Sequence, residues 1–244
     1  MIDLHIHLLP GIDDGAQSWE ETVAMCRMAA AQGCAELVAT PHQRTPSWRN
    51  TDRAKLAELL AQAQRAVGAT PRLHLGGEIR VDSELLEELD RHPESGLNPL
   101  GESRYLLLEL ERGGPTSDPF ELLHEVRVAG WTPILAHPEF IVPIADDLGL
   151  ARALVESGAL LQVTAMSVTG EFGRRAEEVA SDLLDAGLVH FVASDAHSSR
   201  WRPPGLRRAY DTIAERWGDA TAQRLTSENP RAVVESRELA PLAR

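Results

Sequence analysis

Met1-Ile-Asp-Leu-His-Ile-His7 opens the chain, with apolar Ile2, Leu4 and Ile6 interleaved with polar Asp3, His5 and His7. A period of two is that of a β-strand, whose side chains alternate between faces. His5 and His7 therefore point to one side, close enough to bind one cation. Asp3 shares that face at a deeper level, where it suits a supporting acceptor. The fold follows from what recurs after this segment. Short apolar runs come again at 36–40, 72–78, 105–109, 133–137, 160–164 and 189–194, roughly 30 residues apart, the length of a strand, helix and return.

Between the runs the pattern is helical. Ser18 with Glu21 three residues later is a capping box opening a helix to about Gln32. Asn50 or Thr51 is placed to cap the next, where Leu56, Leu59, Leu60 and Ala63 recur at helical spacing. Later helices are expected over 117–129, 147–157, 171–186 and 204–217. Gly33, Gly130, Gly158 and Gly187 follow helical stretches as C-terminal stops. Seven strand–helix units in one direction give an α/β chain with a parallel barrel or a doubly wound sheet. Nearly every run ends in a potential ligand: His5/His7, His42, Glu78, Glu109, His137, Gln162 and Asp195/His197. A barrel gathers many strand ends around one mouth, whereas an open sheet concentrates its site at one switch point, so the barrel is expected.

The chain has 244 residues, 43% hydrophobic and 25% charged, enough for one buried core and without linkers or repeats to divide it. One domain over 1–244 is expected. A net charge of −13 disfavours nucleic-acid binding. No run approaches the ~20 apolar residues of a membrane span, and the N-terminus lacks a signal-like start, so a cytoplasmic protein is expected. Cys26 and Cys34 have Gln32 and Thr40 six positions on, not the Arg of a thiol phosphatase loop, and are read as packing residues.

The chemistry lies in the strand ends. Pro41 stops a strand so that His42 projects from the rim, and Gly76-Gly77 leaves room beside Glu78. Glu109 closes an apolar strand, where a carboxylate is costly unless paired or metal-bound. His137 follows Ala136, and Asp195 and His197 form a second pair two apart. Mixed nitrogen and oxygen donors without cysteine suit Mn²⁺, Fe²⁺ or Zn²⁺. More donors than one ion needs implies two or three ions, with Glu78 a natural bridge. Clustered divalent ions suit hydrolysis at phosphorus, because they acidify water and neutralise the attacked group. His74, His92, His124 and His190 sit within strands, helices or loops and are read as structural.

These residues resemble a known family. Residues 1–15, from Met1 through Pro10-Gly-Ile-Asp-Asp-Gly15, are similar to the start of the polymerase-and-histidinol-phosphatase (PHP) superfamily. More narrowly they resemble the capsule-regulating, manganese-dependent protein tyrosine phosphatases of the CpsB/YwqE type. Ala39-Thr-Pro-His42, Gly77-Glu-Ile-Arg80, Tyr105-Leu-Leu-Leu-Glu109, Ala136-His-Pro-Glu139, Gly170-Glu-Phe-Gly173, Ser194-Asp-Ala-His197, Arg202-Pro-Pro204 and Asn229-Pro230 continue the match in order. The resemblance implies a distorted TIM-like (β/α)7 barrel, the PHP fold, with a trinuclear manganese centre. It implies one ion on His5, His7, Glu78 and Asp195, a second on Glu78, Glu109 and His137, and a third on Asp14, His42 and His197. Asp14 is chosen there over Asp13. The expected mechanism has Arg202 with Arg80 stabilise the phosphate oxygens, and Asp14 or His42, where not fully committed to metal, protonate the leaving group. The implied substrate is phosphotyrosine on the tail of a bacterial tyrosine autokinase that controls polysaccharide export.

Two positions depart from the family. Its usual Ala-His-Pro-Glu-Arg-Tyr has Phe140 at the Arg, and Ser198 stands where Asn is preferred. Loss of one phosphate clamp bears on phosphotyrosine specificity more than on metal binding. Competing readings are a small-molecule phosphatase acting on a histidinol-phosphate-like substrate, a phosphodiesterase, or a non-catalytic metal-binding partner of a kinase.

Overall fold

The computed structural model describes residues 1–114 and 118–240. Its strands are β1 (Ile2–Ile6), β2 (Glu36–Ala39), β3 (His42–Gln43), β4 (Arg72–Leu75), β5 (Glu78–Arg80), β6 (Tyr105–Glu109), β7 (Thr132–Ala136), β8 (Leu160–Thr164) and β9 (Val189–Ala193). Every pairing is parallel: β1–β2–β4 in one ladder and β3–β5–β6–β7–β8–β9 in another. β3 continues the line of β2 beyond Thr40-Pro41, and β5 that of β4 beyond Gly76-Gly77. Proline has no N–H to give a ladder, and glycine lets the backbone bend, so both lines break there. The circle closes between β1 and β9, where Asp195 N–H donates to His5 O at 2.8 Å and His7 N–H to Ala196 O at 2.9 Å. The described residues therefore form a closed barrel of seven strand lines, as expected.

The main helices are α1 (Trp19–Ala31), α2 (Arg53–Val67), α3 (Leu85–Asp90), α4 (Pro119–Val128), α5 (Val142–Asp146), α6 (Leu148–Glu156), α7 (Ala165–Val168), α8 (Arg174–Asp185), α9 (Leu206–Trp217), α10 (Asp219–Gln223) and α11 (Asn229–Val234). None is long and apolar enough to cross a membrane. The short α3, α5, α7, α10 and α11 escape a reading by periodicity, since fewer than two turns carry no repeat. Asp52, not Asn50 or Thr51, caps α2 by accepting from Lys55 N. Ser117 lies outside the described residues, and Asp118 caps α4. Ser18 caps α1 as expected, but Glu21 does not return to close the capping box. It accepts from Ser199 N at 2.6 Å and Ser198 Oγ at 2.9 Å, tying α1 to the loop after β9.

Alternate residues of one strand divide between two apolar layers. Leu106 and Leu108 of β6 belong to the layer shared with the helices. Tyr105 and Leu107 join Ile134, Ala136 and Phe191 in a second cluster that fills the barrel. Glu109 shares their face and stands one step above them, so the packed interior ends where the ligands begin. Below, Val233 of α11 packs into the same cluster, and Tyr105 Oη donates to Arg237 O at 2.7 Å. Cys26 and Cys34 are buried packing residues, and burial pushes both thiols up to about 12.

Candidate metal centre

Strand ends bring the expected donors to one rim. His5 and His7 present Nε2 atoms 3.1 Å apart. Asp195 Oδ1 lies 3.4 Å from the first and 3.6 Å from the second. Glu78 stands at the centre. Its Oε1 is 2.7 Å from His137 Nε2 and 3.5 Å from His5 Nε2, and its Oε2 is 2.9 Å from His42 Nδ1 and 3.5 Å from His7 Nε2. Glu109 Oε2 is 3.9 Å from His42 Nδ1. Asp14 Oδ1 lies 3.3 Å from His42 Nε2 and 3.4 Å from His197 Nε2. His137 and Asp195 hold left-handed backbone, with φ of 36° and 51°. That conformation is uncommon outside glycine and turns each side chain inward at its strand end.

Three imidazoles are aimed by bonds on their far side. His5 Nδ1 meets Gln162 Oε1 at 2.8 Å, His7 Nδ1 meets Asp13 Oδ2 at 2.9 Å, and His197 Nδ1 meets Asp195 O at 2.9 Å. An Nδ1–H donated outward leaves the Nε2 lone pair facing the centre. Asp13 also accepts from His42 N at 3.1 Å and Gly15 N at 2.9 Å, while its neighbour Asp14 reaches the imidazoles themselves. The doublet thus divides into a buried support and a rim donor. Asp3 serves as an acceptor, taking Ser194 N–H at 2.9 Å. The turn fits only because Gly15 lacks a side chain: a Cβ there would stand 2.2 Å from His7 O.

Electrostatics favour cations. Glu78 and Asp195 are almost wholly buried; Arg202 pairs with Asp195, whereas the partners of Glu78 are imidazoles. Burial opposes charge on His5 and His42, yet Asp195 and Glu78 push His5 up to about 9, and Glu78 and Asp14 push His42 up to about 11. His7 and His137 are raised the same way against burial, by Asp13 and Glu78 respectively. Burial and the nearby Glu78 charge raise Glu109. A concentration of buried negative charge that drags imidazoles toward the cationic form is also what draws metal ions. Among the described residues, donor atoms gather within 4.8 Å as His5/His7/Asp195, as His42/Glu78/Glu109 and as His7/Asp14/His42/His197. Nitrogen and oxygen donors without thiolate fit hard to borderline divalent ions. The second group contains His42 where His137 is expected, and His137 touches Glu78 separately.

Above the donors lies a cavity of about 700 Å³. Arg80 lines it, bonded to Glu111 Oε1 at 2.5 Å, and Arg202 lines it beside Asp195. The histidines read as structural stay outside: His74 pairs with Glu36, His190 Nδ1 accepts from Leu161 N, and His92 packs edge-on against Trp131. Several residues escape a reading by strand ends. Trp48 stacks on His42 with ring centroids 5.5 Å apart and planes 9° apart, from a loop that carries no motif. Gln162, read as a potential ligand, orients His5 instead. Arg112 and Phe172 reach the wall from loops, and only Gly170-Glu-Phe-Gly173 marks the second in the sequence.

The sequence profile described as "Capsular polysaccharide synthesis, CpsB/CapC" matches residues 1–235. The chain belongs to the CpsB/CapC family. The tyrosine-protein phosphatase YwqE of Bacillus subtilis is 32% identical over 241 residues, 98% of this chain and 91% of that protein. The tyrosine-protein phosphatase CpsB of Streptococcus pneumoniae is 31% identical over 242 residues, 96% and 98% of the two chains. A solved chain described under "Crystal structures of YwqE from Bacillus subtilis and CpsB from Streptococcus pneumoniae, unique metal-dependent tyrosine phosphatases" superposes with a TM-score of 0.92 at 29% identity, over 100% of this chain and 100% of that one. A phosphotriesterase from Mycobacterium tuberculosis shares the fold at a TM-score of 0.60 and 11% identity, over 97% of this chain and 93% of its own.

Proposed function

We propose that this CpsB/CapC-family chain is a metal-dependent phosphomonoester hydrolase acting on protein phosphotyrosine, and that residues 1–244 work as one barrel domain. The observation that carries the reading is Glu78, buried at the rim with four imidazoles within 3.5 Å, and Asp195, Glu109 and Asp14 around them. Three divalent ions, Mn²⁺ by preference, would be held by His5, His7, Glu78 and Asp195, by Glu78, Glu109 and His137, and by Asp14, His42 and His197. Such ions acidify water and screen the charge of a phosphate. The chain's own residues do the rest. Arg202 and Arg80 face the cavity with forks that match phosphate oxygens, each already oriented by a carboxylate. Asp14 or His42 is the proton donor proposed for the departing oxygen where it is not committed to a metal ion, and His42 suits the role better, because against burial His197 and His42 hold the Asp14 carboxyl well below the usual carboxylate range. A phenolate, with a pKa near 10, needs that proton less than an alkoxide does. The phosphotyrosine is assigned to the tail of a tyrosine autokinase in capsule or exopolysaccharide control.

The test compares phosphate release from a phosphotyrosyl peptide and from histidinol phosphate, with metal content measured by elemental analysis. Peptide turnover exceeds the small substrate, and His7→Ala or Glu78→Ala abolishes turnover and lowers metal content. Full activity in both variants, or after exhaustive chelation, overturns the reading.

A further inference from the structure

The cavity over the candidate metal centre is lined mainly by charged groups, yet one side of it is apolar. Phe140 and Phe172 meet there edge to face, with centroids 5.5 Å apart and planes at 79°. The geometry is one in which aromatic rings attract, so each ring is held in a set orientation. Both are half-buried, and the buried Leu110 and Ile141 line the same cavity. The corner touches the chemistry at two points. The Phe140 centroid is 6.1 Å from that of His137, and Arg202, which pairs with Asp195, sets its Cζ 5.3 Å from the Phe172 ring. Arg112 lies over Phe140 with its Cζ at 5.5 Å, and its backbone oxygen accepts from Val142 N at 2.8 Å, which fastens the two loops together.

We propose that Phe140 and Phe172 form a platform for the aryl ring of the substrate and make the site selective for aryl over alkyl phosphates. This rests on the phosphatase reading above. A phosphate held near Arg202 and His137 would sit beside the two rings, since Phe140 neighbours His137 and Phe172 neighbours Arg202. An aryl group attached to it gains offset or edge contacts there, and an alkyl group of serine size leaves the corner wet. Phe140, standing where the resemblance implies an arginine, thus supplies apolar area for the ring.

The experiment measures binding of phenylphosphonate and methylphosphonate to Mn²⁺-loaded protein by titration calorimetry, with a P–C bond that is not hydrolysed. The native chain prefers phenylphosphonate. Phe140→Ala reduces that preference about three- to tenfold, in line with the strength of aromatic pairs, and leaves methylphosphonate affinity within about twofold. Phe172→Leu, which keeps volume and folding, lowers the same ratio by a smaller factor. A ratio unchanged in both variants overturns the platform. Phosphate release from a phosphotyrosyl peptide is measured alongside. Release with an unchanged ratio removes the platform alone, and a shifted ratio without release removes the phosphatase reading alone.

Discussion

Gly15→Ala is a sharp test of how the metal-binding rim is held, because the constraint at Gly15 is room rather than backbone conformation. The added Cβ would lie 2.2 Å from His7 O and 2.4 Å from His7 Cβ, against an ordinary contact of 3.4 Å or more. Both atoms belong to His7, the residue that follows β1 and is tied by its N–H to Ala196 O, and cannot swing aside, so the loop must retreat by about 1 Å. That loop is fastened by Ala16 N–H to His7 O at 3.0 Å and by Gly15 N–H to Asp13 Oδ1 at 2.9 Å. Retreat carries Asp13 away from His7 Nδ1. Overpacking costs about 1–3 kcal/mol, and weakening a charge-assisted bond adds a fraction of about 1.5–3 kcal/mol, so a loss of about 2–4 kcal/mol is expected. For a chain of this size that is a fall in Tm of roughly 5–15 °C. His7 belongs to two of the donor groups, so metal content after dialysis against defined Mn²⁺ falls as well. Gly11→Ala supplies the contrast: with φ of 69° and open space around it, it strains only its own backbone, about 1–2 kcal/mol, and keeps its metal. A Gly15→Ala protein with Tm within about 2 °C of the parent and unchanged metal content would refute the reasoning.

Glu78→Gln keeps the shape of the central residue and removes its charge, so bound metal per chain falls by at least one equivalent by elemental analysis while folding is retained. His190 is a group whose protonation the fold resists: burial holds it down to about 4, and its Nδ1 must stay bare to accept from Leu161 N at 3.2 Å. Since its folded value lies below the ordinary 6.5, the unfolded chain takes up the extra proton between pH 6.5 and 4. Its contribution, about 3 kcal/mol, is therefore complete above pH 6.5 and lost toward pH 4. Urea unfolding across that window shows a steeper loss in the parent than in His190→Asn, and equal slopes would remove the assignment. Gly77→Ala, whose Cβ would meet Gln43 Oε1 at 2.2 Å, breaks the bonds from Gln43 Nε2 to Asn50 O and from Asn98 N to Gln43 Oε1 and lowers Tm by several degrees.

Periodicity and punctuation alone carry the order of the seven strand lines and the longer helices, the parallel sense and the donors at strand ends, because these are local statements about which residues alternate and which end a run; Asp14 comes only from the resemblance. Seven apolar runs closing on polar residues are enough to argue a barrel, since no other arrangement brings all those ends to one mouth. Three-dimensional packing decides the rest. That Asp13 supports His7 while Asp14 faces His42 and His197 depends on a turn whose Gly15 fits under the His7 carbonyl just beyond β1. That Glu21 leaves its own helix cap for Ser198 and Ser199 depends on a loop 177 residues away in the chain. The aromatic corner of Phe140 and Phe172 joins two loops with no shared motif. Such contacts are set by how separate strand ends crowd around one axis, and a linear pattern holds no term for the distance between them.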